Sequence, residues 1–304
     1  MINRVTHQTV QRSTLANLQV SLGKMSDLQS RMSSGKVITK PSDDPAGTAK
    51  AMQLRSDKRS ADQFSRNAAD GQAWLTTVDT ALQASVTALR SARDLTVQGA
   101  NSGALNPTAR EGIAVAIDGV RDAMLQQANT THLGRPVFAG TTDQGVAFSV
   151  TPPVAPATTP TYTWTGTAGA SVERRVSRDS TIRVDSDGAA VFGQGGTSVF
   201  ALLDTISSAL RSGADVSGYL TDIDGHLTTM LGGLASVGTR TNQVTTAQSA
   251  IGSTVVDLRS ELSSVEDIDM AQTIVELQMQ EVAYKGALGA TQRVLQPSLM
   301  DFLR

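Results

Sequence analysis

Three histidines, one pair of adjacent aspartates, one glycine-rich stretch and one Asp-Ser-Asp-Gly segment are where this 304-residue chain could carry chemistry. A metal site or a nucleophile–base pair needs partners at defined spacing. His7, His132 and His226 stand far apart, none has a second His or Cys at ligand spacing, and there is no His-Glu-x-x-His. Asp43-Asp44 could serve acid–base or metal chemistry, but Pro45 follows directly. That order reads as a helix start, with Asp44 as N-cap, Pro45 at the first helical position and both carboxylates facing the positive helix end. Gly193-Gln194-Gly195-Gly196 lacks the Gly-Lys-Ser/Thr of a phosphate loop. Asp185-Ser186-Asp187-Gly188 begins like a calcium loop but lacks a third ligand and a closing Glu, so a hairpin turn at Asp187-Gly188 is expected instead. No serine sits in a Gly-x-Ser-x-Gly setting, and there is no cysteine. The residues point to no enzyme: no catalytic residue, no metal ligand and no cofactor is expected.

The elements around these positions are long helices. A first helix is predicted from about Thr9 to Met32, stopping at Ser33-Ser34-Gly35, where glycine suits a left-handed cap. From Pro45 to about Asn101 there is no further proline, and Phe64, Ala68, Gly71, Leu75, Val78, Leu82 and Leu89 keep helical spacing. About 50 helical residues make a rod of ~75 Å. Asn106-Pro107 opens the next helix, carried by Ile113, Ile117, Val120 and Met124 to about Thr131. Four of the nine prolines then fall between Pro152 and Pro160 and exclude a continuous helix. Alternation in Tyr162-Thr163-Trp164-Thr165 and Thr181-Ile182-Arg183-Val184 makes residues 141–196 a small β-rich insert, entered and left through loops near Gly140 and Gly193. On that reading residues 145–192 could be replaced by a short linker. Helical spacing resumes at Phe200, Leu203, Ile206 and Leu210. A long helix follows from about Val216 to Leu262, with Leu220, Ile223, Leu227, Leu231, Leu234, Val255, Leu258 and Leu262 as its stripe.

The two ends of the chain match each other. Near the C-terminus Met270, Ile274, Leu277, Tyr284, Leu288 and Leu295 fall three, four or seven apart, and Ile268, Val275 and Val282 form a second row beside them. Near the N-terminus Leu15, Leu18, Leu22, Met25 and Met32 repeat the spacing. A stripe this wide exceeds what one partner helix covers. The expected assembly seam is therefore Leu15, Leu18, Leu22, Met25, Ile274, Leu277, Val282, Tyr284, Leu288 and Leu295. These arms, residues 1–34 and 263–304, are expected to lack partners in the free chain and to pack on each other and on further copies.

Composition agrees with helices packed through small side chains: 39% hydrophobic residues, but only 4% aromatic. The formal net charge is −2 with no basic block, so no nucleic-acid footprint is present. No run approaches the ~18 apolar residues of a membrane span. The opening MINRVTHQ lacks the apolar core of a secretory signal, so export, if it occurs, is expected to use another route and no cleaved signal peptide.

Ser33-Ser34-Gly35-Lys36 with Pro41-Ser42-Asp43-Asp44-Pro45 resembles the N-terminal signature of bacterial flagellins and flagellin-like junction proteins. Ala235-Ser236-Val237-Gly238-Thr239-Arg240-Thr241-Asn242-Gln243 is similar to the family's return-helix motif, and Ser264-Val265-Glu266-Asp267-Ile268-Asp269-Met270-Ala271 to its C-terminal helix motif. Gly134-Arg135-Pro136-Val137-Phe138-Ala139-Gly140, Ser198-Val199-Phe200-Ala201-Leu202-Leu203-Asp204-Thr205 and the ending Leu299-Met300-Asp301-Phe302-Leu303-Arg304 resemble the hook–filament junction branch rather than flagellin itself. Pro136 stands where that branch implies a residue continuing a strand. The resemblance implies a mainly α, flagellin-like fold in nested layers. Residues 1–44 and 263–304 form an inner coiled coil, 45–140 and 197–262 an antiparallel helical rod, and 141–196 an outer β-rich domain. It implies a structural subunit of the extracellular flagellum, exported unfolded through the flagellar type III apparatus. The implied partners are copies of itself in a ring, flagellin, the neighbouring hook-associated protein, and an export chaperone on the C-terminal helix. Two other readings stay open: a flagellin proper, distinguished by thousands of copies rather than one ring, and a chemoreceptor-type signalling coiled coil, which needs a membrane anchor.

Overall fold

Short capping signals decide where the helices begin and end in the computed structural model, which describes residues 7–101, 106–153 and 159–295. Helix α1 (His7–Ser34) stops at Gly35, whose φ of +69° places it in the left-handed region and whose N–H donates to Arg31 O at 2.8 Å. Helix α2 (Pro45–Ala100) starts where Asp44 accepts from Gly47 N at 2.9 Å. Asp43 does not share that task. Its carboxylate accepts from the Thr39 hydroxyl and from the N–H groups of Lys40 and Thr39, which hold its pKa below the usual carboxylate range and close the loop before α2. Helix α3 (Pro107–Ala128) is capped by Asn106, which accepts from Ala109 N at 2.7 Å. Helix α5 (Val199–Ser212) is capped by Ser198 and closed by Gly213 at φ +79°. Helices α6 (Tyr219–Glu266) and α7 (Met270–Leu295) complete a mainly α fold. The sequence features at residues 1–6, 102–105, 154–158 and 296–304 lie outside the described residues.

The chain divides into two units: a terminal unit of residues 1–60 and 255–304, and a central unit of residues 61–254. Small residues line the central helices. On α2 the buried positions Ala61, Ala68, Leu75, Leu82, Leu89 and Thr96 recur every seven, as do Gly71, Val78, Ser85, Ala92 and Gly99 beside them. A Cβ on Gly99 would stand 2.6 Å from Leu210 of α5, so glycine is what lets that helix approach. On α6 the buried row is Ile223, Met230, Val237, Val244 and Ile251, also a strict seven. This corrects the stripe read from leucines: Ile223 belongs to it, whereas Leu231 is exposed. Within the central unit α2 and α6 run antiparallel, with Arg93 Nε 2.6 Å from Asp224 Oδ1 and Leu82 beside Gly233.

The β-rich segment consists of antiparallel two-stranded ribbons. Strands β1 (Thr131–His132) and β2 (Arg135–Pro136) turn through Leu133 and Gly134, both at positive φ, as a type I′ hairpin requires. Pro136 pairs opposite Thr131 at the end of its strand, where it is tolerated. Strands β3 (Phe148–Thr151) and β4 (Thr161–Trp164) pair, as do β5 (Glu173–Arg175) and β6 (Thr181–Arg183). Asp187-Gly188 is not a hairpin turn. Asp187 caps a short helix, α4 (Gly188–Phe192), by accepting from Ala190 N. Gly188 is required by packing, since a Cβ there would stand 2.5 Å from Phe138 O. Asp185 is fully buried, holding Arg183 and Val172 N, so the aspartates of this segment have structural work.

This segment shares one core with the helices. Phe148 and Tyr162 pack their rings on Phe200 at 5.2 and 5.3 Å, and Phe138 meets Phe192 edge-on at 5.2 Å. Asn129, just past α3, accepts from Ala147 N and Phe148 N. Tyr162 donates to Asp204 of α5 at 2.7 Å, and Arg121 of α3 donates to the other oxygen of that carboxylate. Residues 145–192 are therefore not replaceable by a linker without opening the core around Phe200.

Candidate assembly surface

Within the terminal unit the ends of the chain are joined first through backbone. Val37 N donates to Glu266 O at 2.6 Å, Ile268 N donates to Gly35 O at 3.1 Å, and Lys36 bridges Asp267 in antiparallel register. Gly35 serves twice, capping α1 and offering its carbonyl across the junction. Beneath this clamp Glu266, only 3% exposed, pairs with the Lys36 ammonium and lies 2.8 Å from Arg55 Nη2. Burial raises the Glu266 pKa, but the hydrogen bonds and charges of Arg55 and Lys36 outweigh it and hold the carboxyl below its ordinary range. Nothing local in the sequence announces this triad, since its partners lie more than 200 positions apart.

The clamp sets the pairing of α1 with α7. Gln280 Nε2 donates to Ser21 O at 3.3 Å, and with the Lys36–Asp267 bridge this gives an antiparallel register. Met25 then lies level with Leu277, and Leu18 with Tyr284. All four are half-buried. The arms therefore do have a partner in the free chain, namely each other. The other expected seam residues are on the outside: Leu15, Leu22, Ile274 and Leu288 are exposed, and Val282 is 70% exposed. Val20, Val275 and Met279 join them, a widening of the stripe that the sequence spacing alone did not single out at Val20 and Met279. The helix reaches Leu295, whose side chain lies outside the described residues. One pair of helices thus presents two kinds of apolar row, one closed on itself and one open.

The polar candidates do not assemble into a reactive site. His132 lies tilted against the Trp74 ring, 5.1 Å between centroids, beside Asp70 and Arg174, while the His7 side chain lies outside the described residues. His226 is half-buried, and burial lowers its pKa against the opposing pull of Asp222. Among the described residues no group of three His, Cys, Asp or Glu is placed to hold a metal ion. Among them, too, no helix is long and apolar enough to cross a membrane.

The sequence model of the bacterial flagellin N-terminal helical region matches residues 5–143. Flagellar hook-associated protein 3 of Salmonella typhimurium is 23% identical, over 93% of this chain and 94% of its own length. The Escherichia coli protein of the same name is 24% identical over 94% and 95%. Flagellin B of Vibrio anguillarum is 34% identical, but over 34% of this chain and 27% of its own length. Among solved structures, a flagellar hook-associated protein from Vibrio parahaemolyticus superposes with a TM-score of 0.66 at 22% identity, covering 74% of this chain and all of its own. Hook-associated protein 3 from Legionella pneumophila gives 0.61 at 14% identity, over 70% and 98%. The chain is flagellin-like in fold, matches the model of the bacterial flagellin N-terminal helical region over residues 5–143, and is similar along nearly its whole length to flagellar hook-associated protein 3.

Proposed function

We propose that this chain is a structural subunit of the bacterial flagellum that joins the hook and its first associated protein to the flagellin filament. The observation that carries this reading is the reach of the similarity: over 90% of both chains toward hook-associated protein 3, but about a third of this chain toward flagellin B. Assembly runs through the open apolar row of α1 and α7. Leu15, Leu22, Ile274, Val282 and Leu288 face copies of the chain and neighbouring flagellar subunits, while Leu18, Met25, Leu277 and Tyr284 hold the two arms together. The layers are residues 1–44 and 263–304 inside, 45–140 and 197–262 as the rod, and 141–196 outermost. The same α7 face is the surface an export chaperone would cover before assembly, and the finished ring lies outside the cell. No catalysis is required of it.

Cells lacking the chain should show hooks without filaments by electron microscopy, with flagellin released into the medium. Normal filaments on such cells would defeat the reading. Val282→Asp refines the test. The side chain already meets water in the free chain, so helix content and melting temperature should match the parent. On assembly each copy forfeits about 1.5–3 kcal/mol of apolar burial and meets the cost of a buried charge. Exported Val282→Asp protein that retains filaments as well as the parent would exclude this face from the seam.

A further inference from the structure

The β1–β2 hairpin carries a side chain that its own fold does not favour. Leu133 sits at φ +49°, and it is the single non-glycine at positive φ among the described residues. The two turn positions of such a hairpin ordinarily take Asn, Asp or Gly, because a Cβ crowds the carbonyl in the left-handed region. A leucine there could be offset by burial, yet Leu133 is 83% exposed, the most exposed of the large apolar residues among those described. Two positions on, Arg135 is also exposed, and its one hydrogen bond among the described residues is a long one, 3.4 Å to Thr141 O. The hairpin tip is therefore an apolar knob with a cation at its base, exposed and joined only by that long bond among the described residues.

The central unit also holds a groove lined mainly by glycine, serine and threonine, with two larger apolar side chains and one carboxylate. It has a volume of about 530 Å³ and lies between the start of α5 and the start of α6. Leu202 and Tyr219 supply apolar wall, Thr205 and His226 line it, and Asp222, whose charge acts on His226, stands at it with no salt bridge to Lys or Arg among the described residues. An apolar knob on one face and a complementary groove elsewhere on the same molecule make a heterologous, non-closing contact between copies, which is what a ring or helical row of identical subunits needs.

We propose that the Leu133–Arg135 hairpin tip of one copy inserts into the α5–α6 groove of the next, with Leu133 against Leu202 and Tyr219 and Arg135 paired with Asp222. This contact is separate from the terminal arms but rests on the junction reading, since it requires copies to assemble.

The chain has no cysteine, so introduced thiols report without background. Flagella isolated from cells whose sole copy carries Leu133→Cys with Thr205→Cys should give a ladder of self-linked oligomers on mild oxidation. Neither single variant should, nor the free double variant. Incorporated protein without a ladder, or a link only to a different protein, overturns the contact. A second variant reads the sign. Leu133→Asn relieves the turn, so the free chain should melt about 2 °C higher or more. Each copy-to-copy contact should nevertheless weaken about tenfold, seen as filaments shed at lower shear. A lowered melting temperature would make Leu133 a folding residue, and unchanged shear resistance would make it idle; either refutes the proposal. Absence of the unaltered chain from isolated flagella would defeat the junction reading itself, and the knob with it.

Discussion

Asp204→Ala is expected to destabilise the central unit by about 3–5 kcal/mol, the usual cost of removing one member of a buried ion pair. Asp204 is 4% exposed and holds two donors from different elements, the Tyr162 hydroxyl of β4 and the Arg121 guanidinium of α3. Truncation leaves the phenol without an acceptor in a dry site, which alone costs about 1–3 kcal/mol. Arg121 keeps Asp122 at 2.9 Å and Asp118 at 3.3 Å, so the loss should fall toward the lower end of the range. Both tryptophans, Trp74 and Trp164, lie in the central unit, so urea unfolding followed by fluorescence reads that unit directly. Asp204→Asn keeps an acceptor and should cost about half as much. Tyr162→Phe combined with Asp204→Ala should cost less than the sum of the two, and strict additivity would show that the pair is not coupled. Alkali gives an independent sign. Burial first, then the bond to Asp204, raises the Tyr162 pKa above its ordinary value of 10. The folded chain therefore keeps a proton that the unfolded chain releases. Stability of the central unit should fall as pH rises past about 10, and this slope should shrink in Tyr162→Phe.

The second large effect belongs to the clamp. Glu266→Ala should loosen the terminal unit by about 2–3 kcal/mol. This is below the roughly 3–5 kcal/mol of a fully buried pair, because Lys36 and Arg55 keep partial access to water. Helix content followed by circular dichroism should fall at lower temperature, while the tryptophan transition of the central unit stays in place. A matching shift of the tryptophan transition would contradict this. Acid tests the same carboxylate. Its folded pKa is depressed, so its contribution is fully present above the ordinary glutamate value of 4.5 and is lost as pH drops through the folded value. The terminal unit of the parent should therefore weaken as pH falls below about 4.5, more steeply than in Glu266→Gln. Equal slopes would remove Glu266 as the cause.

Local signals in the sequence were enough to find the helix ends. Gly35, Asp44-Pro45 and Asn106-Pro107 each act within four residues of themselves, and their geometry follows from their chemistry. The α6 stripe was harder because leucines draw attention that the packing does not give them. The buried face is Ile223, Met230, Val237, Val244 and Ile251, visible as a strict seven once β-branched residues and Met are counted equally with Leu. Asp187-Gly188 has the letters of a turn, but glycine there answers to the Phe138 carbonyl, a tertiary fact with no local signature. The split of the terminal seam into closed and open rows was likewise hidden. Spacing shows a stripe wider than one partner, but which half faces the other arm depends on the register fixed by Lys36, Glu266 and Ile268.

That clamp also imposes an order of events. The terminal unit is drawn from both extremes of the chain, so it cannot close until residue 36 and residue 266 are both free, however the chain is delivered. Ring closure across an open chain of that length is entropically costly and slow, whereas a folded central unit holds most of the intervening residues and shortens the effective loop. Refolding should therefore be sequential, with tryptophan burial preceding the final gain of helix. A chain threaded through a narrow passage from either end would have its interior folded before its two arms could pair, and the closed rows of α1 and α7 would stay apart for that interval.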